Sequence, residues 1–268
     1  MKYDFNRDDA YPKGKVYDVC ICGGGAAGIT TAMALAEKGK RVALFAGGGL
    51  QYSAESAQLF LSKNIGRTYY GDSCRQRYLG GATNIWSGRC MVLQSIDFES
   101  RDVFDLPGWP IGKEQLDRYL APALKVLDVP VQPSEVINTT PLGNSTLRSA
   151  WQALSTPPTR FGQKYRDLLT KSPNIDLYLN ANLTDLRLDE NGKRVSGIMI
   201  ENFQGKSEHF LGKEIVIAFG SVENARVLLN CNSQMPNGIG NQSDLVGRCF
   251  MEHLNVDMGR FVADLTHK

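Results

Sequence analysis

Three glycines, Gly23, Gly25 and Gly28, stand in the spacing Gly-x-Gly-x-x-Gly. In that spacing the first glycine permits a tight turn, the second lets backbone approach a pyrophosphate, and the third lets a helix pack closely on a strand. The chemistry of such a loop is the holding of an anionic dinucleotide by backbone N–H groups at a helix N-terminus. One part of the fingerprint is missing. The motif expects an Asp or Glu at the end of the next strand, where a carboxylate accepts hydrogen bonds from ribose hydroxyls. Here the strand runs out as Phe45-Ala46-Gly47-Gly48-Gly49, so Ala46 occupies the slot and no acid follows until Glu55. Losing a hydrogen bond to a charged group costs about 1.5–3 kcal/mol, roughly ten- to a hundredfold in affinity. That weakens a nucleotide site without abolishing it.

The elements that must position these glycines are legible around them. Tyr17 to Cys22 is short, apolar and β-branched, the signature of a buried parallel strand. Ile29, Ala32, Met33 and Ala36 recur at helical spacing, Gly39 ends the helix, and Val42 to Phe45 supplies the second strand of a βαβ unit. Downstream, a short helix is expected over 54–61, a helix over 113–126 and another over 161–170, with a linker over 130–145. Ile175 to Asn180 reads as a strand, and 183–188, 195–201 and 208–211 read as an antiparallel meander turned at Asp189-Glu190-Asn191-Gly192-Lys193 and at Gln204-Gly205. Glu214 to Gly220 is a further buried strand, after which Ser221 can cap a helix with Glu223 in its first turn. A strand arriving this late fits a doubly wound sheet completed by distant chain.

The totals narrow the classes. The chain has 268 residues, enough for a sizeable core, with 42% hydrophobic and 22% charged residues and 30 Lys and Arg against 28 acids. Basic runs and basic stripes with interleaved aromatics are absent, so nucleic acid is not an expected partner. The six cysteines form no Cys-x-x-Cys pair, and no metal site or disulfide framework is visible. Cys20 and Cys22 lie two apart on a strand and read as packing thiols on one face. No stretch has the length of a transmembrane span, and residues 1–15 carry no apolar leader, so the expected location is cytoplasmic.

Five stretches, taken in order, resemble one family. They are the glycine fingerprint; Arg77-Tyr78-Leu79-Gly80-Gly81-Ala82-Thr83-Asn84-Ile85-Trp86-Ser87-Gly88; Gly108-Trp109-Pro110-Ile111; Ala218-Phe219-Gly220-Ser221-Val222-Glu223-Asn224-Ala225-Arg226-Val227-Leu228-Leu229; and Val246-Gly247-Arg248-Cys249-Phe250-Met251-Glu252-His253. Together they resemble the glucose-methanol-choline oxidoreductases, nearest to the branch of bacterial sugar and polyol dehydrogenases and pyranose oxidase.

The resemblance implies an α/β fold: a Rossmann-like FAD-binding domain with a parallel sheet and an antiparallel β-meander, plus the beginning of a substrate domain. The FAD-binding domain would comprise 15–92 and 160–250, with 93–159 and 251–268 as a partial substrate domain or connecting segments. Gly23, Gly25, Gly28 and the helix from Ala27 would hold the pyrophosphate. Gly81, Thr83, Asn84 and Ile85 would lie along the isoalloxazine ring, Leu183 would meet the adenine, and Ala218 and Gly220 would close over the ribose and pyrophosphate side. Ala46 would face the ribose without the family's Glu. Ile85 stands where some members carry a flavin-linked His, so the FAD is expected to be non-covalent. The substrate class implied is a small alcohol or sugar, oxidised at a CH–OH group by hydride transfer to the flavin. Family members are longer, and the remainder carries their catalytic His. Of the three histidines here, His209 reads as a surface strand residue, His267 lies beside the terminus and His253 reads as structural. No catalytic residue is therefore assigned, and a second polypeptide or further segment is expected to supply the base. The alternative is a catalytically degenerate relative with a binding or scaffold role, which Ala46 favours. A nicotinamide enzyme would rest on the glycine fingerprint alone.

Overall fold

The computed structural model describes residues 1–66, 73–100, 108–131, 139–141, 148–150 and 153–252. His253, His267 and most of the 130–145 linker lie outside them. The strands are β1 (Lys2–Asp4), β2 (Val16–Cys22), β3 (Val42–Phe45), β4 (Arg89–Cys90), β5 (Thr139–Pro141), β6 (Arg148–Ala150), β7 (Ala153–Leu154), β8 (Ile175–Leu179), β9 (Asn182–Leu188), β10 (Val195–Glu201) and β11 (Ser207–Ile217). The helices are α1 (Ala26–Glu37), α2 (Ala54–Gln58), α3 (Lys113–Asp117), α4 (Leu120–Val126), α5 (Phe161–Lys164), α6 (Arg166–Lys171) and α7 (Ser221–Asn230).

One seven-stranded sheet organises the chain, in the order β1-β8-β3-β2-β11-β10-β9. β1 through β11 in that order pair in parallel, and β11-β10-β9 form the antiparallel meander. The two faces of β2 divide the core as strand alternation requires. Val19 and Ile21 pack with Ile29, Ala32, Met33 and Ala36 of α1. Cys20 and Cys22 pack on the other side, with Phe45, Tyr178 and Phe210, and Tyr17 joins them out of parity, next to the irregularity at which Asp18 N and Val19 N both donate to Arg41 O. The Phe45 and Tyr178 rings stack at 4.9 Å, and Phe210 meets them edge-on at 4.8 and 5.0 Å.

Four local expectations are corrected. The helix expected over 113–126 is two, α3 and α4, because Pro122 has no N–H to bond the Arg118 carbonyl one turn back and its ring clashes there. The helix over 161–170 likewise divides at Tyr165, whose hydroxyl is tied to the Val126 carbonyl at 2.6 Å. The strands 208–211 and 214–220 are one, β11, whose first half pairs antiparallel with β10 and whose second half pairs parallel with β2. Ser221 does not cap α7: Gly220 is the N-cap, at φ +88°, and Asn224 Oδ1 instead reaches back to accept from Phe219 N at 2.9 Å. The N-terminal residues also join the sheet, Tyr3 of β1 stacking on Tyr178 at 5.1 Å. No helix among the described residues is long and apolar enough to cross a membrane.

Candidate functional site

Strand register brings the motifs together. Cys22 of β2 lies beside Phe45 of β3 and beside Ile217 of β11, so three strands end level with one another. The next residues, Gly23, Ala46 and Ala218, therefore stand side by side. Gly23 N donates to Phe45 O at 2.8 Å and Ala218 N to Cys22 O at 2.7 Å. In open α/β sheets this carboxyl end is where ligands bind. A cavity of about 400 Å³ opens there, between the fingerprint loop, the 74–78 segment and the start of α7.

The glycines have distinct structural reasons. Gly23 sits at φ +123°, and a Cβ on it would lie 2.4 Å from Ala218 O. A Cβ on Gly28 would lie 1.8 Å from Gly23 O, so this glycine lets α1 pack on the loop. Gly25 meets nothing within 4 Å, which leaves open space over the N-terminus of α1. That N-terminus has no side-chain cap and no acid in its first turn, so its N–H groups and helix dipole are left for an anion. Gly81 covers the loop closely: a Cβ on it would sit 3.0 Å from Gly25 Cα, and Gly80 N donates to Gly24 O at 2.7 Å.

Opposite the glycines the sequence reading missed a charged cluster. Glu223, in the first turn of α7 and only 3% exposed, faces three guanidiniums. Arg226 binds it in a fork at 2.6 and 3.0 Å, and Arg75 and Arg77 approach at 3.6 and 3.8 Å. Arg75 also stacks on Phe60, its guanidinium 4.1 Å from the ring centre. Arg77 donates to Asn182 Oδ1, while its Nε is shielded from solvent with no hydrogen-bond partner among the described residues. Burial lowers the Arg77 pKa, Glu223 opposes that, and the like charges of Arg226 and Arg75 add to the lowering. Among the described residues, three cations around one anion give the cluster a net charge of +2. The signal available in sequence was Arg75-x-Arg77 immediately before the second glycine pair, with Glu223 and Arg226 at helical i, i+3 spacing.

Arg77 also explains the end of β3. A Cβ on Gly47 would lie 2.6 Å from Arg77 Nη2, and one on Gly48 would lie 1.8 Å from Arg77 O. The Gly47-Gly48 pair therefore admits the Arg77 segment beside Ala46, which is 2% exposed. A guanidinium stands next to the slot where a ribose-binding carboxylate would be.

Of the residues nominated from sequence, Gly23, Gly25, Ala27, Ala46, Gly81, Ala218 and Gly220 line this cavity. Gly28 lies beneath it. Thr83 is buried, its hydroxyl donating to Gly80 O at 2.6 Å and accepting from Phe161 N at 3.2 Å. Asn84 Nδ2 donates to Leu79 O at 3.1 Å, Ile85 is exposed, and Leu183 packs into the core of the meander face. These four lie outside the cavity lining. His209, the only histidine among the described residues, is exposed on β11 opposite Met199. No cluster of metal-ligating side chains occurs among the described residues.

The donor set fits a dinucleotide diphosphate: a bare helix N-terminus, a glycine loop with open space above it, and a cluster of net charge +2. Residues 18–231 match the family described as FAD dependent oxidoreductase (DAO). No curated protein matches the chain. Among solved structures, a formate oxidase aligns with a TM-score of 0.56 at 17% identity, over 82% of this chain and 48% of that one. An FAD-dependent oxidoreductase from Chaetomium thermophilum aligns with 0.53 at 16%, over 79% and 47%. A fungal aryl-alcohol oxidase gives 0.52 at 14%, again over 79% and 47%. At these identities the likeness is one of fold, and the chain spans about half the length of each. The resemblance to glucose-methanol-choline oxidoreductases read from the motifs is borne out. With the sheet, the strand-end cavity and the match over most of its length in agreement, the chain belongs to the FAD-dependent oxidoreductase family.

Proposed function

We propose that this chain is the FAD-binding part of an oxidoreductase that oxidises a CH–OH group of a small alcohol or sugar. The carrying observation is the level ending of β2, β3 and β11, which gathers Gly23, Ala46 and Ala218 around one cavity walled by Arg75 and Arg77. In this reading 15–92 and 160–250 form the cofactor domain, extended by β1, and 93–159 with 251–268 belong to the substrate side. Gly23, Gly25 and the N–H groups from Ala27 hold the pyrophosphate, and Arg75 and Arg77 neutralise it. Gly81 lies toward the ring system, and Ala218 and Gly220 lie toward the ribose. Bound FAD would supply the hydride acceptor. Held non-covalently, it needs no contact from Ile85.

The chain's own residues bind and orient. Glu223 sets the two cavity-facing guanidiniums, and the Tyr78–Ala82 segment covers the glycine loop. His209 is remote from the cavity lining, so the proton acceptor comes from residues outside the described set or from a second polypeptide. In this reading the enzyme acts in the cytoplasm. Ala46 favours one other reading, a relative that keeps the fold without catalysis.

The test is the visible absorption spectrum of the purified chain after incubation with FAD and removal of the excess. A retained flavin spectrum is expected. A folded chain, by circular dichroism, that retains no flavin would overturn the proposal in favour of the degenerate reading.

A further inference from the structure

A second cavity, of about 280 Å³, shares Tyr78 with the first and has no role in the reading above. Its polar lining includes Tyr52, Asn84, Arg160, Gln163 and Arg166, and none of its lining residues is an acid. Arg160 is fixed by donating from Nη1 to Thr83 O at 2.8 Å and to Trp86 O at 3.1 Å. Arg166 Nε is shielded from solvent with no hydrogen-bond partner among the described residues. The nearby carboxylates are already matched to lysines, Asp167 to Lys171 at 2.8 Å and Asp128 to Lys164 at 2.6 Å. Among the described residues, neither arginine takes part in an ion pair. No carboxylate lines the cavity that these two guanidiniums share, and Asp167, which feels the Arg166 charge, is bound to Lys171.

An unpaired, partly desolvated guanidinium is costly, and its planar donor fork matches an oxyanion. Two of them, with no acid opposite, suit a dianion better than a monoanion. We propose that this cavity binds a phosphate group, free or carried on a small monoester, with Arg166 and Arg160 as its cationic ligands. The volume exceeds what one phosphate needs and leaves room for an organic portion beside Tyr52 and Tyr78. The site's two cationic ligands, Arg160 and Arg166, are not among the residues placed on the dinucleotide, although the two cavities share Tyr78.

Calorimetric titration of the protein with inorganic phosphate, glycerol 3-phosphate and acetate, at ionic strength held constant with sodium chloride, tests it. Saturable binding of phosphate is expected, with acetate at least tenfold weaker. Tighter glycerol 3-phosphate would identify a monoester as the ligand, and equal or weaker binding would identify free phosphate. Arg166→Gln should weaken phosphate at least tenfold, with Arg166→Lys intermediate, and Lys213→Gln, at an exposed position that lines neither cavity, should leave it unchanged. Gln163→Glu, at an exposed position, should also abolish binding and covers the case in which Arg166→Gln does not fold. Phosphate binding lost in Arg77→Gln but kept in Arg166→Gln, binding equal for acetate, or no heat beyond that of chloride would each overturn the proposal.

Discussion

Replacing Glu223 by Gln removes the carboxylate that three guanidiniums share while keeping the side chain's shape. Breaking a buried ion pair by removing one partner costs about 3–5 kcal/mol, because the remaining charges stay desolvated and unpaired. Glu223 is only 3% exposed, which argues for the full penalty, but its tightest partner, Arg226, is 49% exposed and can turn to water. Arg75 and Arg77, 17% and 12% exposed, cannot, yet they stand at 3.6 and 3.8 Å rather than in hydrogen-bond contact. The lower end of the range follows, about 3 kcal/mol, and for a chain of this size that is about 6–12 °C in Tm. Urea denaturation followed by far-UV circular dichroism should show a lower midpoint with an unchanged slope. The substitution also raises the cluster from +2 to +3, so a diphosphate nucleotide such as ADP should stabilise the variant more than the parent at equal concentration. A loss below about 1 kcal/mol, the scale of an exposed pair, would refute the claim that Glu223 organises the cavity wall. Equal stabilisation by ADP would refute the electrostatic reading of that wall.

Two further outcomes are expected. Asp176 is 8% exposed at its side chain and bound by Lys15 Nζ at 2.7 Å and Tyr17 OH at 2.8 Å. Burial pushes its carboxyl pKa up, but the Lys15 and Tyr17 hydrogen bonds and the ammonium charges prevail and lower it. Its contribution is therefore present above the unfolded carboxylate pKa of about 3.9 and lost as pH falls through the lower folded value. Asp176→Asn should flatten the stability profile over that acid range, measured as urea midpoints between pH 2 and 6, and an unaltered profile would discount the cluster. At the ribose slot, Ala46→Glu should tighten FAD binding roughly ten- to a hundredfold in a fluorescence titration. Unchanged or weaker affinity would mean that Arg77, beside Gly47, has reassigned that position.

How much of this was legible beforehand depends on the range of the interactions. The βαβ unit and the meander followed from local pattern, because alternation and helical spacing in 17–45 and 183–211 report which face of each element is buried. The glycine fingerprint was equally local, since φ at Gly23 and the close packing at Gly28 are demands on single residues. The breaks at Pro122 and Tyr165, and the fusion of two expected strands into β11, were decided elsewhere. Pro122 is a local signal that the surrounding helical periodicity masked, whereas Tyr165 and β11 answer to partners distant in sequence. The cavity wall belongs to the second kind. Arg75 and Arg77 precede Glu223 by well over a hundred residues, and only the parallel pairing of β2 with β11 carries α7 to the fingerprint loop. The sequence alone thus determined a nucleotide-type loop with an alanine where an acid was expected. The tertiary structure decided what stands beside that alanine, because charges separated in sequence attract and repel through space once the sheet has set their distances.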